Sequence, residues 1–284
     1  MTNFVYTWLP SKGAYLEAWH LFIKSFLLWK TNDIQLIVLC GSSEVSKEVC
    51  SMTKNLDLSV ETVCVTNESL EQVSIWHDYV LPEGANILYL DCKTLCCGPV
   101  DCIFRERRDD LLYAKKEGNT RFEYWGRNLF QESNPETDAF MMDILLCQNS
   151  PTMRRLFSKV MDQVKEGDSL RKSLIYHAIK ENVVDVNMFE KRVFCNPPYL
   201  TKGLWIASFP RIRGTTSVEV RRMRGFFRDS LLGEDGLLNY QSITRQMKET
   251  EIDMERFEKI VADNQTHFDA INKICVDSGE PVEG

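Results

Sequence analysis

The sequence predicts an α/β fold with a mostly parallel central sheet flanked by helices. Two observations lead there. Strand-like and helix-like segments alternate through the first ninety or so residues, and the strand-like ones are apolar throughout rather than at every second position. A strand that is apolar on both sides has to be covered on both sides, and the crossover helices between parallel strands provide that cover. With 284 residues, 44% hydrophobic and 26% charged, the chain can build one large core of ordinary soluble composition.

In order, "NFVYTWL" is a β-rich run, and "AYLEAWHLFIKSFLLWK" places Leu16, Trp19, Ile23, Phe26 and Leu27 at helical spacing. "IQLIVLCG" is a buried strand closed by Gly41, "SSEVSKEVCSMTKNL" a helix with a serine cap, and "SVETVCVT" a β-branched strand. "SLEQVSIWHDYVL" reads as a helix ended by "PEG", and "NILYLD" as a fourth strand. The next stretch, "LLYAKKEGNTRFEYWGRNLFQESNPETD", is polar and turn-rich and reads as a long loop. "AFMMDILLCQNSP" is a strand with Asp143 inside it. The helix "TMRRLFSKVMDQVKEG" follows Ser150 and Pro151, a start signal, and "SLRKSLIYHAIKEN" continues as helix. "VDVNMFEKRVFCNPPY" and "GLWIASFP" are late strands, and "EVRRMRGFFRDSLL" and "EIDMERFEKIVADNQTHFDAINKIC" are helices before a frayed tail.

Composition excludes several functions. The net charge of −7 argues against a general nucleic-acid binder, so any phosphate must be met by a local basic site. No segment approaches the roughly 20 uninterrupted apolar residues of a membrane-spanning helix, and the amino terminus lacks the pattern of a signal peptide. A soluble, cytoplasmic protein is expected. The ten cysteines fall mostly in apolar runs and read as reduced core residues. Cys92, Cys96, Cys97 and Cys102 lack the paired spacing of a zinc site.

In an open α/β sheet, ligands sit beyond the carboxyl ends of the strands, and Asp91 stands at one such end. An aspartate there also has a structural reading, as the cap of a turn. Asp143, an acid in an apolar run, needs a partner or a function, and Arg127 is a candidate partner. Trp76 reads as core, and His77 and His177 as helix-face residues.

The run "ILYLDCKTLCCGPVDCIF" resembles the "VLYLDADVLVVGPLDELF" pattern of nucleotide-sugar glycosyltransferases of the GT-A fold, especially the glycogenin-like and related families. "DAFMMDILLCQNSPTMRRLFSKV" resembles their "FNAGVLLVRNSPWSRRLLD", "SLIYHAIKEN" their "DQDALNYAL", and "VFCNPPYLTKGLWIASFPRIRG" their closing "FNSYP…GDFIVHFAGC". The similarity is collinear over about residues 4–228, which implies a GT-A domain at 1–228 and a helical extension with tail at 229–284.

The resemblance implies a glycosyltransferase that takes a nucleoside-diphosphate sugar, UDP-linked in many relatives, and a glycan or glycoprotein acceptor. In that family two aspartates of a D-x-D motif and a late histidine hold manganese or magnesium on the diphosphate. Here the first aspartate aligns with Asp91, the second with Lys93 and the histidine with Ser208. By the resemblance Asp91 would contact the donor's ribose or the metal, the latter only if a metal is used. Lys93, with Arg211 and Arg213 of "PRIRG", would otherwise supply positive charge to the departing diphosphate. Cys92 lies between the aligned motif positions, and Thr7, Trp8, Leu9 and Gln72 align with the nucleotide-base pocket. Asp143 or Asp138 would take the acceptor proton or bind sugar. Arg221, Arg222 and Arg224 read as a solvated helix face. The altered motif leaves a second reading open, a GT-A-like pseudoenzyme that binds without turnover. The C-terminal helix has two outcomes open to it, packing on the domain or pairing with a second copy as a homodimer. A bacterial or virus-encoded enzyme fits these features.

Overall fold

A computed structural model of the chain describes residues 2–11, 13–29, 34–54, 56, 58–65, 68–98, 100–105, 111–116, 140–189, 194–195, 206–209 and 217–231. Its centre is a seven-stranded sheet formed by β1 (Asn3–Leu9), β2 (Ile34–Cys40), β3 (Val60–Cys64), β4 (Asn86–Leu90), β6 (Leu111–Lys116), β7 (Phe140–Gln148) and β8 (Asp185–Met188), in the order β3-β2-β1-β4-β7-β6-β8. Strands β3, β2, β1 and β4 pair in parallel, and β7 runs antiparallel to both β4 and β6. A smaller three-stranded sheet joins β5 (Thr94–Cys96), β10 (Ile206–Ser208) and β9 (Phe194–Cys195) in the order β5-β10-β9. The mostly parallel, helix-covered sheet expected from the sequence is present.

Both faces are covered, as the continuous apolar runs require. Helix α1 (Gly13–Trp29) lies on one face. Trp19, Phe22, Phe26 and Trp29 form a core there with Val5, Leu9, Leu88 and Leu90. The same cluster includes Val45 and Val49 of α2 (Ser43–Thr53), Ile103 of α4 (Val100–Arg105) and Met223 and Phe227 of α7 (Ser217–Leu231). On the other face, Phe4, Tyr6, Ile87 and Tyr89 pack on α5 (Pro151–Lys165) and α6 (Leu170–Ile175) through Met153, Leu156, Phe157 and Leu174. The serine caps are in place: Ser42 accepts from the Val45 amide and Ser150 from the Met153 amide, with Pro151 opening α5.

Two expectations need correction. The segment read as one helix from Ser69 is instead a 3₁₀ turn, η1 (Glu68–Val73), followed by the short α3 (Ile75–Asp78), with a break at Glu71 (φ 39°, ψ −120°). Leu70, Val73 and Ile75 are all buried, and a continuous helix would spread them too far around its axis to share one face. The break, tightened by Ser74 donating from its amide and its hydroxyl to the Glu71 carbonyl, turns all of them inward. Second, "LLYAKK" is not loop but strand β6, with Leu112 and Ala114 in the core. Its short apolar repeat was hidden by the polar run after it. The loop's remainder, the last predicted helix and the tail lie outside the described residues.

Trp76 is core, stacked on Phe157 at 4.4 Å between ring centroids. His77 is exposed beside Asp78, whereas His177 is buried and bonded through Nδ1 to Glu181 at 2.9 Å, on a π-turn (Tyr176–Lys180) rather than an open helix face. Cys40, Cys92, Cys96, Cys97 and Cys147 form no disulfide and are buried, but Cys50 on α2 and Cys64 on β3 are exposed.

Candidate active site

Register builds the site. Strand β4 pairs antiparallel with β7 so that Leu90 faces Ile144, and one step further the Asp91 amide donates to the Asp143 carbonyl at 3.0 Å. The two aspartates are therefore cross-strand neighbours. Like charges placed directly opposite each other destabilise a sheet unless something of opposite sign lies between them.

Lys93 supplies that charge. Its Nζ lies 3.2 Å from Asp91 Oδ2, with both side chains largely buried. The turn carrying it is tightly defined: Asp91 Oδ1 accepts from the Lys93 amide at 2.9 Å, and the Asp91 carbonyl accepts from the Thr94 amide and hydroxyl at 2.9 and 2.7 Å. Asp91 thus does cap a turn, and the cap is what aims Lys93. The small sheet fixes the other side of the turn. Ser208 faces Thr94 in the β10–β5 pairing, the Phe209 amide donates to the Lys93 carbonyl at 2.9 Å, and Ser208 Oγ donates to Asp143 Oδ2 at 2.8 Å.

The electrostatics follow. Burial works to lower the Lys93 pKa, but the carboxylates of Asp91 and Asp143 outweigh it and hold the ammonium well above its ordinary range. Burial, with the Asp91 charge beside it, raises the Asp143 carboxyl, while Lys93, the Ser208 hydroxyl and Arg171 pull it back. Tyr89, completely buried below, points its hydroxyl to Asp91 Oδ2 at 3.5 Å, and burial followed by the Asp91 charge keeps the phenol protonated. Glu71, at the break in η1, is exposed, yet burial of part of its side chain and then the Asp91 charge raise its carboxyl.

The remaining sequence-predicted residues divide. Trp8 lies on the same side of β1 as Tyr6 and stands against Gly41, where an added Cβ would sit 3.1 Å from the Ser11 amide nitrogen and 3.3 Å from the Trp8 ring. Thr7 and Leu9 are fully buried and alternate to the α1 side, Leu9 packing in that core. Cys92, 1% exposed, also joins it. Gln72 is buried next to Glu71. Asp138, Arg127, Arg211 and Arg213 lie outside the described residues. Arg221, Arg222 and Arg224 are exposed, with Arg224 3.9 Å from Glu17. Sequence reading missed Glu71, Arg171 and Tyr89. Glu71 stands at a backbone break and Arg171 on α6, and neither position leaves a motif.

Among the described residues no group of three His, Cys, Asp or Glu side chains is placed to hold a metal, and Asp91, the acid expected to do so, already holds an ammonium.

No protein-family model matches the chain, and no curated protein matches it. Solved structures do. The galactosyltransferase LgtC, in complex with donor and acceptor sugar analogues, is 14% identical with a TM-score of 0.56, over 82% of this chain and 98% of that one. Mouse xyloside xylosyltransferase 1 in its apo form is 10% identical with a TM-score of 0.51, over 73% of this chain and 97% of that one. The bifunctional glycosyltransferase WbbM is 12% identical with a TM-score of 0.51, and 90% of this chain spans about half, 51%, of it. The fold is that of the GT-A glycosyltransferases.

Proposed function

We propose that this protein is a glycosyltransferase that moves a sugar from a nucleoside-diphosphate donor, UDP-linked by the sequence resemblance, to a glycan or glycoprotein acceptor, and that Lys93 does the work a metal does in its relatives. One observation carries the reading: at the carboxyl end of β4, where such folds bind ligands, two aspartates face each other across the strands and a lysine ammonium lies 3.2 Å from Asp91.

As the bond between the sugar and the diphosphate breaks, negative charge grows on the departing phosphate oxygens. A positive group already fixed in a partly dry site stabilises that charge without reorganising. The Lys93 ammonium is fixed by Asp91, by the Thr94 turn and by the Phe209 amide on its carbonyl. Its raised pKa keeps it charged throughout the physiological range. Asp143, anchored by Ser208, shares in holding it. Arg211 and Arg213, which follow β10 in the sequence, are proposed to complete the phosphate site. Trp8, exposed in part at the end of β1, is proposed to flank the nucleotide base with Thr7, Leu9 and Gln72 nearby.

The engagement of Lys93 with Asp91 also favours a second reading, a binding protein without turnover, since an ammonium spent on a carboxylate has less to offer a phosphate. Release of free nucleoside diphosphate from a panel of UDP- and GDP-sugars, with and without candidate acceptors, separates the two. Release above the rate of uncatalysed hydrolysis is expected. Saturable binding with no release from any donor establishes the second reading instead.

A further inference from the structure

We propose that Cys40 and Cys64 form a thiol–disulfide modification site at the edge of the main sheet, closed by peroxide and reopened by a dithiol, and that closing it loosens the nucleotide pocket; the effect on the pocket rests on the transferase reading above. The placement comes from register. Strand β3 ends the sheet on its side and pairs in parallel with β2 so that Cys64 stands opposite Cys40. The Val65 amide donates to the Cys40 carbonyl at 2.9 Å and holds the two strand ends together. Both side chains face α2. Cys40 packs in the core with Val45 and Val49 of that helix, and Thr62, two residues before Cys64 on the same face, accepts from Ser46 Oγ at 2.9 Å and lies 3.6 Å from Cys50 Sγ. Neighbouring strands lie about 4.8 Å apart, inside the roughly 4.4–6.8 Å that a disulfide spans between Cα atoms. The third thiol is less well placed. Helix α2 begins at Ser43, next to these strand ends, and runs away from them, so Cys50 lies a turn further from Cys64 than Ser46 does.

The two thiols differ in the way a two-step oxidation requires. Cys64 is exposed and Cys40 fully buried, and burial, followed by the neighbouring Cys64 and Cys50, pushes the Cys40 thiol up to about 12, which keeps it protonated and inert toward outside oxidants. Peroxide therefore meets Cys64. Its sulfur takes one peroxide oxygen, the O–O bond breaks, one water leaves and a sulfenic acid remains. The Cys40 sulfur then attacks the Cys64 sulfur: the S–S bond forms, the S–O bond breaks, and the Cys40 proton leaves with the hydroxyl as a second water. The two thiols lose two electrons and the peroxide gains them. A dithiol reverses the step by exchange.

The bond acts where the chain turns toward the pocket. Gly41 follows Cys40, its amide donates to the Leu9 carbonyl at 3.0 Å, and an added Cβ there would sit 3.1 Å from the Ser11 amide nitrogen and 3.3 Å from the Trp8 ring. A disulfide draws its two Cβ atoms to about 3.8 Å, closer than the strand spacing, so Cys40 must move and Gly41, packed that tightly, moves with it against Trp8.

The test treats the whole protein with hydrogen peroxide and then with dithiothreitol, maps disulfides by mass spectrometry, and measures UDP affinity in each state for the wild type, Cys64→Ser and Cys50→Ser. Peroxide is expected to join the peptides carrying Cys40 and Cys64 in the wild type and in Cys50→Ser, and dithiothreitol to release them. The oxidised wild type is expected to bind UDP about fivefold or more weakly than the reduced, and Cys64→Ser to bind it equally before and after peroxide. No cross-link, or Cys64 joined to any other cysteine, overturns the site. A Cys40–Cys64 disulfide with unchanged UDP affinity overturns the coupling and leaves the transferase reading standing. A reduced protein that binds neither UDP nor GDP overturns the nucleotide pocket and the coupling with it, whereas the cross-link alone decides the site.

Discussion

The two sides of the same strands differ in a single step of register. On the α1 side, β1 and β4 present Val5, Leu9, Leu88, Leu90 and, after the strand, Cys92, all packed in one dry core. On the other side they present Tyr6 and Tyr89 and then Asp91, which meets Asp143 and Lys93. Because strand side chains alternate, moving Asp91 by one position would drive an ionised group into the α1 core. One side holds the fold together, and the other spends part of that stability on a buried ionic site.

That contrast can be tested, and the largest effects should come from the dry side. Trp19→Ala, at a fully buried position, is expected to cost about 3–5 kcal/mol in urea denaturation, with nucleotide affinity of the folded protein unchanged. Lys93→Ala leaves two facing aspartates without their cation, with an expected loss of about 3 kcal/mol of stability and weaker donor binding by about 1.5–3 kcal/mol. Combining Lys93→Met with Asp91→Asn should recover most of that stability and none of the binding, which would separate the structural use of the pair from its functional use. Ser208→Ala removes the hydroxyl from Asp143 Oδ2 and should cost about 1.5 kcal/mol.

The smallest effect is a pH dependence. The folded protein raises the Asp143 pKa above its ordinary 3.8 and so favours the protonated acid. Stability that is full below the unfolded pKa is therefore lost as pH rises through the folded one. Asp143→Asn does not titrate. Its stability relative to wild type should grow as pH rises above about 4, as read by thermal melts.

Much of the fold was legible because its signals are local. The apolar runs of β1, β2 and β4, the serine caps at Ser42 and Ser150, and the proline opening α5 each declare an element from a few neighbouring residues. What failed depended on distant contacts. Ser69 to Leu81 has a sound helical composition, and only packing of Leu70, Val73 and Ile75 against the sheet breaks it at Glu71. Strand β6 is recruited by β7 and β8, which lie far along the chain. The site divided in the same way. Asp91, Lys93, Asp143 and Ser208 stand at recognisable positions in "LYLDCK", "AFMMD" and "WIASF", but their meeting at one place is a matter of cross-strand register. No motif marks Glu71 or Arg171.

The most direct test of the account is the calorimetric affinity of the protein for UDP and UDP-sugars, measured once with excess chelator and once with manganese. If Lys93 is the fixed cation of the diphosphate site, the two affinities agree, and Lys93→Ala weakens both alike. Binding that disappears in chelator and returns with manganese would contradict that claim, and would assign the positive charge to a metal after all.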